Sequence, residues 1–101
     1  MIADVESKEI IGLATVREAQ EAGHIERATI RVAEKGLIIT LERADADAEA
    51  EQVLGAFRGG VRYFRSFDGA AGALRQAGIV QWDADVADWI PRTLRRGKKQ
   101  A

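Results

Sequence analysis

The chain has no cysteine, a single proline, a single histidine and few aromatic residues, 6% in all. Without cysteine there is no disulfide framework, no thiolate metal site and no cysteine nucleophile. His24 stands alone, so a Ser-His-Asp relay, a His-paired metal site and an H-E-x-x-H helix all lack partners. Its place after Gly23 suits a helix end, where a cation is favoured. No apolar run reaches the roughly 18 residues of a membrane-spanning helix. Residues 1–8 carry Asp4 and Glu6 and lack the basic start and apolar stretch of a secretory signal. The expectation is a cytoplasmic protein with no membrane partner.

What is present fits one core. A length of 101 residues, 47% of them hydrophobic, points to a single domain over residues 1–101, frayed at 1–6 and 97–101. The net charge of −1 hides a gradient. Residues 1–54 hold 6 basic and 12 acidic side chains, whereas residues 55–101 hold 9 basic and 4 acidic. Such asymmetry marks either a surface for an anionic partner or two halves that neutralise one another within the fold or between subunits.

Residues 7–23 read mostly as helix. Thr15-Val16-Arg17-Glu18 has the T-x-x-E spacing of a capping box, and Gly23 suits the stop. Ile10, Ile11 and Leu13 belong either to an earlier helical turn or to a separate segment. Ala28, Ile30 and Val32 alternate with Thr29 and Arg31, and Leu37, Ile39 and Leu41 alternate with Ile38, Thr40 and Glu42 after a Glu34-Lys35-Gly36 turn, which predicts a β-hairpin. Ala50, Val53, Leu54 and Phe57 fall at i, i+3, i+4 and i+7 behind Asp45 or Asp47 as cap, which predicts a helix ended by Gly59-Gly60. An aromatic strand over 61–65 follows. Ser66 caps a helix with Phe67, Ala70, Ala71 and Leu74 on one face and Gly78 as its stop. Residues 79–82 read as a last strand, and Asp85 opens a short helical turn carrying Val86, Trp89 and Ile90. The fold class is therefore α+β: a hairpin plus two further strands in a mixed sheet, the last two joined by a crossover helix, with helices on one face.

The chemistry-bearing patterns are few. Glu42, Asp45, Asp47, Glu49 and Glu51 lack the central Gly and final Glu of a calcium loop, and Asp83, Asp85 and Asp88 read as turn and cap residues, so no metal is expected. Gly59-Gly60 follows a predicted helix rather than preceding one, unlike a phosphate-cradling loop. No cofactor is expected. The segment 57–65 interleaves Arg58, Arg62 and Arg65 with Tyr63 and Phe64, pairing groups that bind phosphates with rings that stack on bases. It resembles in part the RNP1 element K/R-G-F/Y-G/A-F-V-x-F/Y, and departs from it at several aromatic positions and in element order. The alternative is structural, with Val61 and Tyr63 facing the core and Arg62 outside with Phe64, which then packs beneath the Trp82 region or meets another subunit. Arg92, Arg95, Arg96, Lys98 and Lys99 form a basic tail of the kind that adds salt-dependent attraction to DNA or RNA. Trp82 and Trp89 flank the acidic turn as interface anchors or core residues.

One stretch carries a family resemblance. Gly59-Gly60-Val61-Arg62-Tyr63-Phe64-Arg65-Ser66-Phe67-Asp68, leading into Ala70-Ala71-x-Ala73-Leu74-Arg75-x-Ala77-Gly78, resembles the ParC-like small plasmid proteins. These are associated with plasmid partition and replication, and are distinct from the topoisomerase subunit of that name. The likeness extends over roughly residues 15–96 and includes Glu18-Ala19-x-Glu21-Ala22-Gly23-His24-Ile25-Glu26. It implies a bacterial plasmid or integrated mobile element and a maintenance role, and it transfers no active-site residues.

The expected function is a non-enzymatic accessory binding protein of such a system, with DNA or RNA as partner. The alternative is an adaptor or homo-oligomer, bound to itself or to another plasmid-maintenance protein, in which acidic and basic halves meet. Ile30, Val32, Leu37, Ile39, Leu41, Val53, Leu54, Phe57, Phe67, Ala71 and Leu74 are expected to share one core. The tail has no apolar face to bury. Removing the residues after Arg96 should therefore leave the thermal midpoint nearly unchanged, and a drop as large as that of a core truncation would make the tail part of the fold.

Overall fold

The structure, a computed structural model, describes residues 5–44 and 51–90. Its centre is the predicted hairpin. Strand β2 (Ile25–Ala33) pairs antiparallel with β3 (Gly36–Arg43), with Ile30 opposite Ile39 and Val32 opposite Leu37. Alternation along both strands sends Ala28, Ile30, Val32, Leu37, Ile39 and Leu41 to one side and Thr29, Arg31, Ala33, Ile38 and Thr40 to the other. Both sets are buried except Arg31, which is half-buried, so the hairpin is an interior pair rather than one with a wet face.

Three further strands complete a mixed sheet. β1 (Glu9–Ile11) runs parallel to β4 (Gln52–Leu54), β4 pairs antiparallel with β3, and β5 (Asp83–Asp85) runs parallel to β2. The strand order is β1-β4-β3-β2-β5. Two helices, α1 (Leu13–Glu21) and α2 (Phe67–Gln76), cover one face. Val16 from α1 and Ala70, Ala73 and Leu74 from α2 join Ile30, Leu37, Ile39, Leu41 and Leu54 in the main core. The fold is a small α+β domain with its helices on one side. Among the described residues, no helix is long and apolar enough to cross a membrane.

Ser66 caps α2 as expected, its Oγ accepting from the Gly69 amide at 3.0 Å, which satisfies one of the unpaired first-turn donors. Four expectations are corrected. Residues 8–12 are not helix: a 3-10 turn at Val5–Ser7 overlaps the end expected to fray, and β1 follows it. The Thr15–Glu18 box is unused, because α1 begins at Leu13 with Gly12 at its N-cap and no side-chain cap bond. The helix predicted up to Phe57 is absent over 51–57, while Asp45, Asp47 and Ala50 lie outside the described residues. Val53 and Leu54 are both buried because β4 is an inner strand with apolar groups on each face, and such a run mimics helical spacing. The last strand falls at Asp83–Asp85 rather than 79–82, and β5 pairs with β2, not with the 61–65 segment.

The predicted strand over 61–65 is reduced to two single bridges, Val61 with Gly55 and Phe64 with Leu37. The second needs Gly36. This residue has φ +146°, and a Cβ there would stand 2.9 Å from the Phe64 carbonyl oxygen.

Phe57 leaves the expected core and is fully exposed, at 105% of its reference area, whereas Leu54 is 2% exposed. Leu54→Ala should therefore cost about 2–5 kcal/mol. Phe57→Ala should stay within about 0.5 kcal/mol, as for ordinary surface changes. Chemical denaturation of both variants checks this, and equal losses would return Phe57 to the core.

Candidate functional site

The 56–65 segment leaves the sheet at the end of β4 and returns beside β3. Gly55 and Val61 bridge its base, the Ala56 amide donates to the Gly60 carbonyl at 2.9 Å, and the Gly59 amide donates to the Ala56 carbonyl at 3.0 Å. Gly59 and Gly60 turn through φ +99° and +73°, a region that disfavours side chains. The result is a narrow, internally hydrogen-bonded tip that presents Phe57 and Arg58 to solvent.

Past the tip the side chains divide. Phe64 is only 6% exposed and enters the main core, so its ring is not available to stack on a base. Tyr63 is half-buried in a second cluster with Ala33, Ile38 and Val53, and the Lys35 ammonium lies 5.8 Å from its ring centroid. Arg62 is half-buried, its guanidinium 4.7 Å from the Phe64 centroid, where the ring's negative face attracts the cation. Arg58 and Arg65 are exposed. The interleaved segment is therefore not a flat aromatic platform. It is a ridge with Arg58 and Arg65 outside and two of its rings turned inward: Tyr63 packs on the second cluster with Val61, and Phe64 is buried in the cluster that Trp82 packs against. The tip itself escaped sequence reasoning, although Gly55 and Gly59-Gly60 around Ala56-Phe57-Arg58 are the punctuation of a hairpin turn. Arg92, Arg95, Arg96, Lys98 and Lys99 lie outside the described residues.

The sheet face away from the helices holds a second concentration of charge. Arg31 donates from Nε to Thr40 Oγ1 at 3.0 Å and from Nη2 to Glu51 Oε2 at 2.8 Å, and its Nη1 stands 3.7 Å from Asp85 Oδ2. Lys8 Nζ reaches the other Glu51 oxygen at 3.1 Å. Arg27 lies between Asp83, at 3.4 Å, and Glu42, at 3.9 Å. Cations and carboxylates here satisfy one another, and the network ties β5 and the start of β4 to the hairpin. Among the described residues no group of three or more His, Asp or Glu side chains is arranged to hold a metal ion.

The architecture defines a small α+β domain whose mixed sheet is covered by helices on one face and charge-paired on the other. A ParC-like family model matches residues 11–93, most of the chain, and the protein belongs to the ParC-like family. The matched span takes in Arg58, Arg62, Arg65 and Arg92 and leaves Arg95, Arg96, Lys98 and Lys99 beyond it. No curated protein and no solved structure matches the chain.

The two kinds of ion pair should separate by mutation. Arg31→Ala removes a half-buried hub and should cost about 1–2 kcal/mol, since hydrogen bonds to charged groups are worth more than neutral ones. Arg17→Ala breaks an exposed i,i+4 pair with Glu21 and should cost no more than about 0.5 kcal/mol. Urea unfolding of both variants checks the difference, and equal costs would show that the Arg31 network does not hold the sheet.

Proposed function

We propose that the protein is a non-enzymatic accessory binding module of a plasmid or mobile-element maintenance system, and that it contacts nucleic acid along the 58–65 ridge. One observation carries this reading: the asymmetry in how cations are used. Lys8, Arg17, Arg27 and Arg31 are each held in ion pairs, whereas Arg58 and Arg65 project into solvent without an ion pair among the described residues. Exposed guanidinium groups attract phosphate, and the sequence carries further cations at Arg92, Arg95, Arg96, Lys98 and Lys99. Membership of the ParC-like family supports the plasmid setting.

A second reading, an adaptor or homo-oligomer, is favoured by Ile10, which is exposed on the edge strand β1 and lies against Gly55 at the base of the tip. Light scattering across salt concentrations separates it from the first, because a monomer throughout is incompatible with a self-associating module.

The nucleic-acid reading predicts retardation of labelled single- or double-stranded oligonucleotides at low salt, with affinity falling linearly on a log–log plot as salt rises. Arg58→Ala with Arg65→Ala should weaken binding and flatten that slope by about 1–2, one phosphate contact per arginine. Absence of any shift at low salt with DNA and RNA would end the proposal.

A further inference from the structure

We infer that Phe57 is a base-stacking anchor, and that the preferred ligand of the tip is therefore single-stranded nucleic acid with unpaired bases. The inference rests on the nucleic-acid reading above and adds to it the form of the ligand and the residue that selects it. Phe57 is the most exposed of the large apolar side chains among the described residues, the others being Ile10, Val80 and Ile90. It gives no packing to its own fold. Yet the backbone beneath it is fixed by the Gly55–Val61 bridge and by the two hydrogen bonds that close Ala56 onto Gly59 and Gly60. With the backbone already fixed, binding has only the ring's own side-chain torsions left to restrain.

The surroundings of the ring narrow the choice of partner. Within the tip it is followed by Arg58 and by two glycines around which nothing stands within 4 Å of a notional Cβ, so a ligand can approach closely from that side. A single ring next to a guanidinium matches one nucleotide, with the base stacked on the ring and its phosphate on the cation. In a duplex both faces of each base are already stacked on neighbours, so a ring of this kind gains little without prying a step apart. An unpaired base offers its face freely. With Phe64 and Tyr63 drawn inward, Phe57 is the ring of the segment left for this purpose.

The test uses the full-length chain and fluorescence anisotropy with a labelled dT oligonucleotide and a duplex of equal length, at one low salt concentration. Phe57→Ala should lower affinity for the dT strand by about 5- to 100-fold, in the range of one lost base stack. Affinity for the duplex should stay within about twofold, and Phe57→Trp should restore the single-strand value. Because the ring packs on nothing, an unchanged melting curve will accompany the loss. If Phe57→Ala leaves the dT affinity intact while Arg58→Ala with Arg65→Ala lowers it, the tip binds phosphate alone and the stacking role is wrong, although the nucleic-acid reading survives. If neither oligonucleotide binds the wild-type chain, both fail. Loss of self-association in Phe57→Ala, with no oligonucleotide bound, would make the tip an anchor for protein.

Discussion

Much of the molecule depends on one reciprocal pair of hydrogen bonds. The Leu37 amide donates to the Phe64 carbonyl at 2.9 Å, and the Phe64 amide donates to the Leu37 carbonyl at 2.8 Å. This doubly bonded pair fastens the returning chain to the start of β3, at a spot where Gly36 has no Cβ to keep it away. Once Phe64 is held there, its ring drops into the main core beneath α2, and Tyr63 necessarily points to the opposite cluster. Arg62, two residues earlier, is carried over the Phe64 ring. The distance left between the end of β4 and this anchor is then spanned by a turn that has nowhere to go but outward. The exposure of Phe57 and Arg58 is thus a consequence of the pairing, not of a loose loop.

The opposite side of the sheet shows how a polar face can be structural. Arg31 sits on a central strand, where an unpaired guanidinium would be costly, and its donors reach residues from three other parts of the chain. The arrangement couples residue 51, at the head of β4, through Arg31 to both strands of the hairpin, and Lys8 joins from the approach to β1. Lys8, Arg27 and Arg31, all from the first half of the chain, find carboxylate partners on this face. Among the described residues the contrast is spatial: paired charge on the sheet face, and exposed Arg58 and Arg65 on the ridge.

How much of this was legible depends on which rule governed each element. The β2–β3 hairpin was plain because alternation and a glycine turn agree, and α2 was plain because Ser66, an apolar stripe and Gly78 agree. β4 was misread because Val53 and Leu54 serve two faces of an inner strand, and contiguous apolar residues do not reveal their period. β5 was unreadable from propensity, since Asp-Ala-Asp is a poor strand former, and it is held by arginines more than fifty positions earlier in the chain. The cationic part of the site was visible as Arg58, Arg62 and Arg65. That Phe57 rather than Phe64 is the outward ring was not, because the register of 61–64 is set by Leu37 and not by local sequence.

The edges of the sheet differ in a way that bears on how the protein behaves at high concentration. A strand with one unpaired side is a template on which another chain can grow a sheet. β5 is such a strand, but it is short and its exposed side chains include Asp83 and Asp85. Two copies brought together along that border would have to bury exposed acidic side chains with no large apolar group between them, so growth in that direction is discouraged. β1, at the other border, carries the exposed Ile10 and lacks that safeguard among its own residues, Glu9 alone being charged. Protection from runaway sheet extension is therefore one-sided. Any assembly of copies through strand pairing would stop at pairs joined across β1 rather than propagate into fibres.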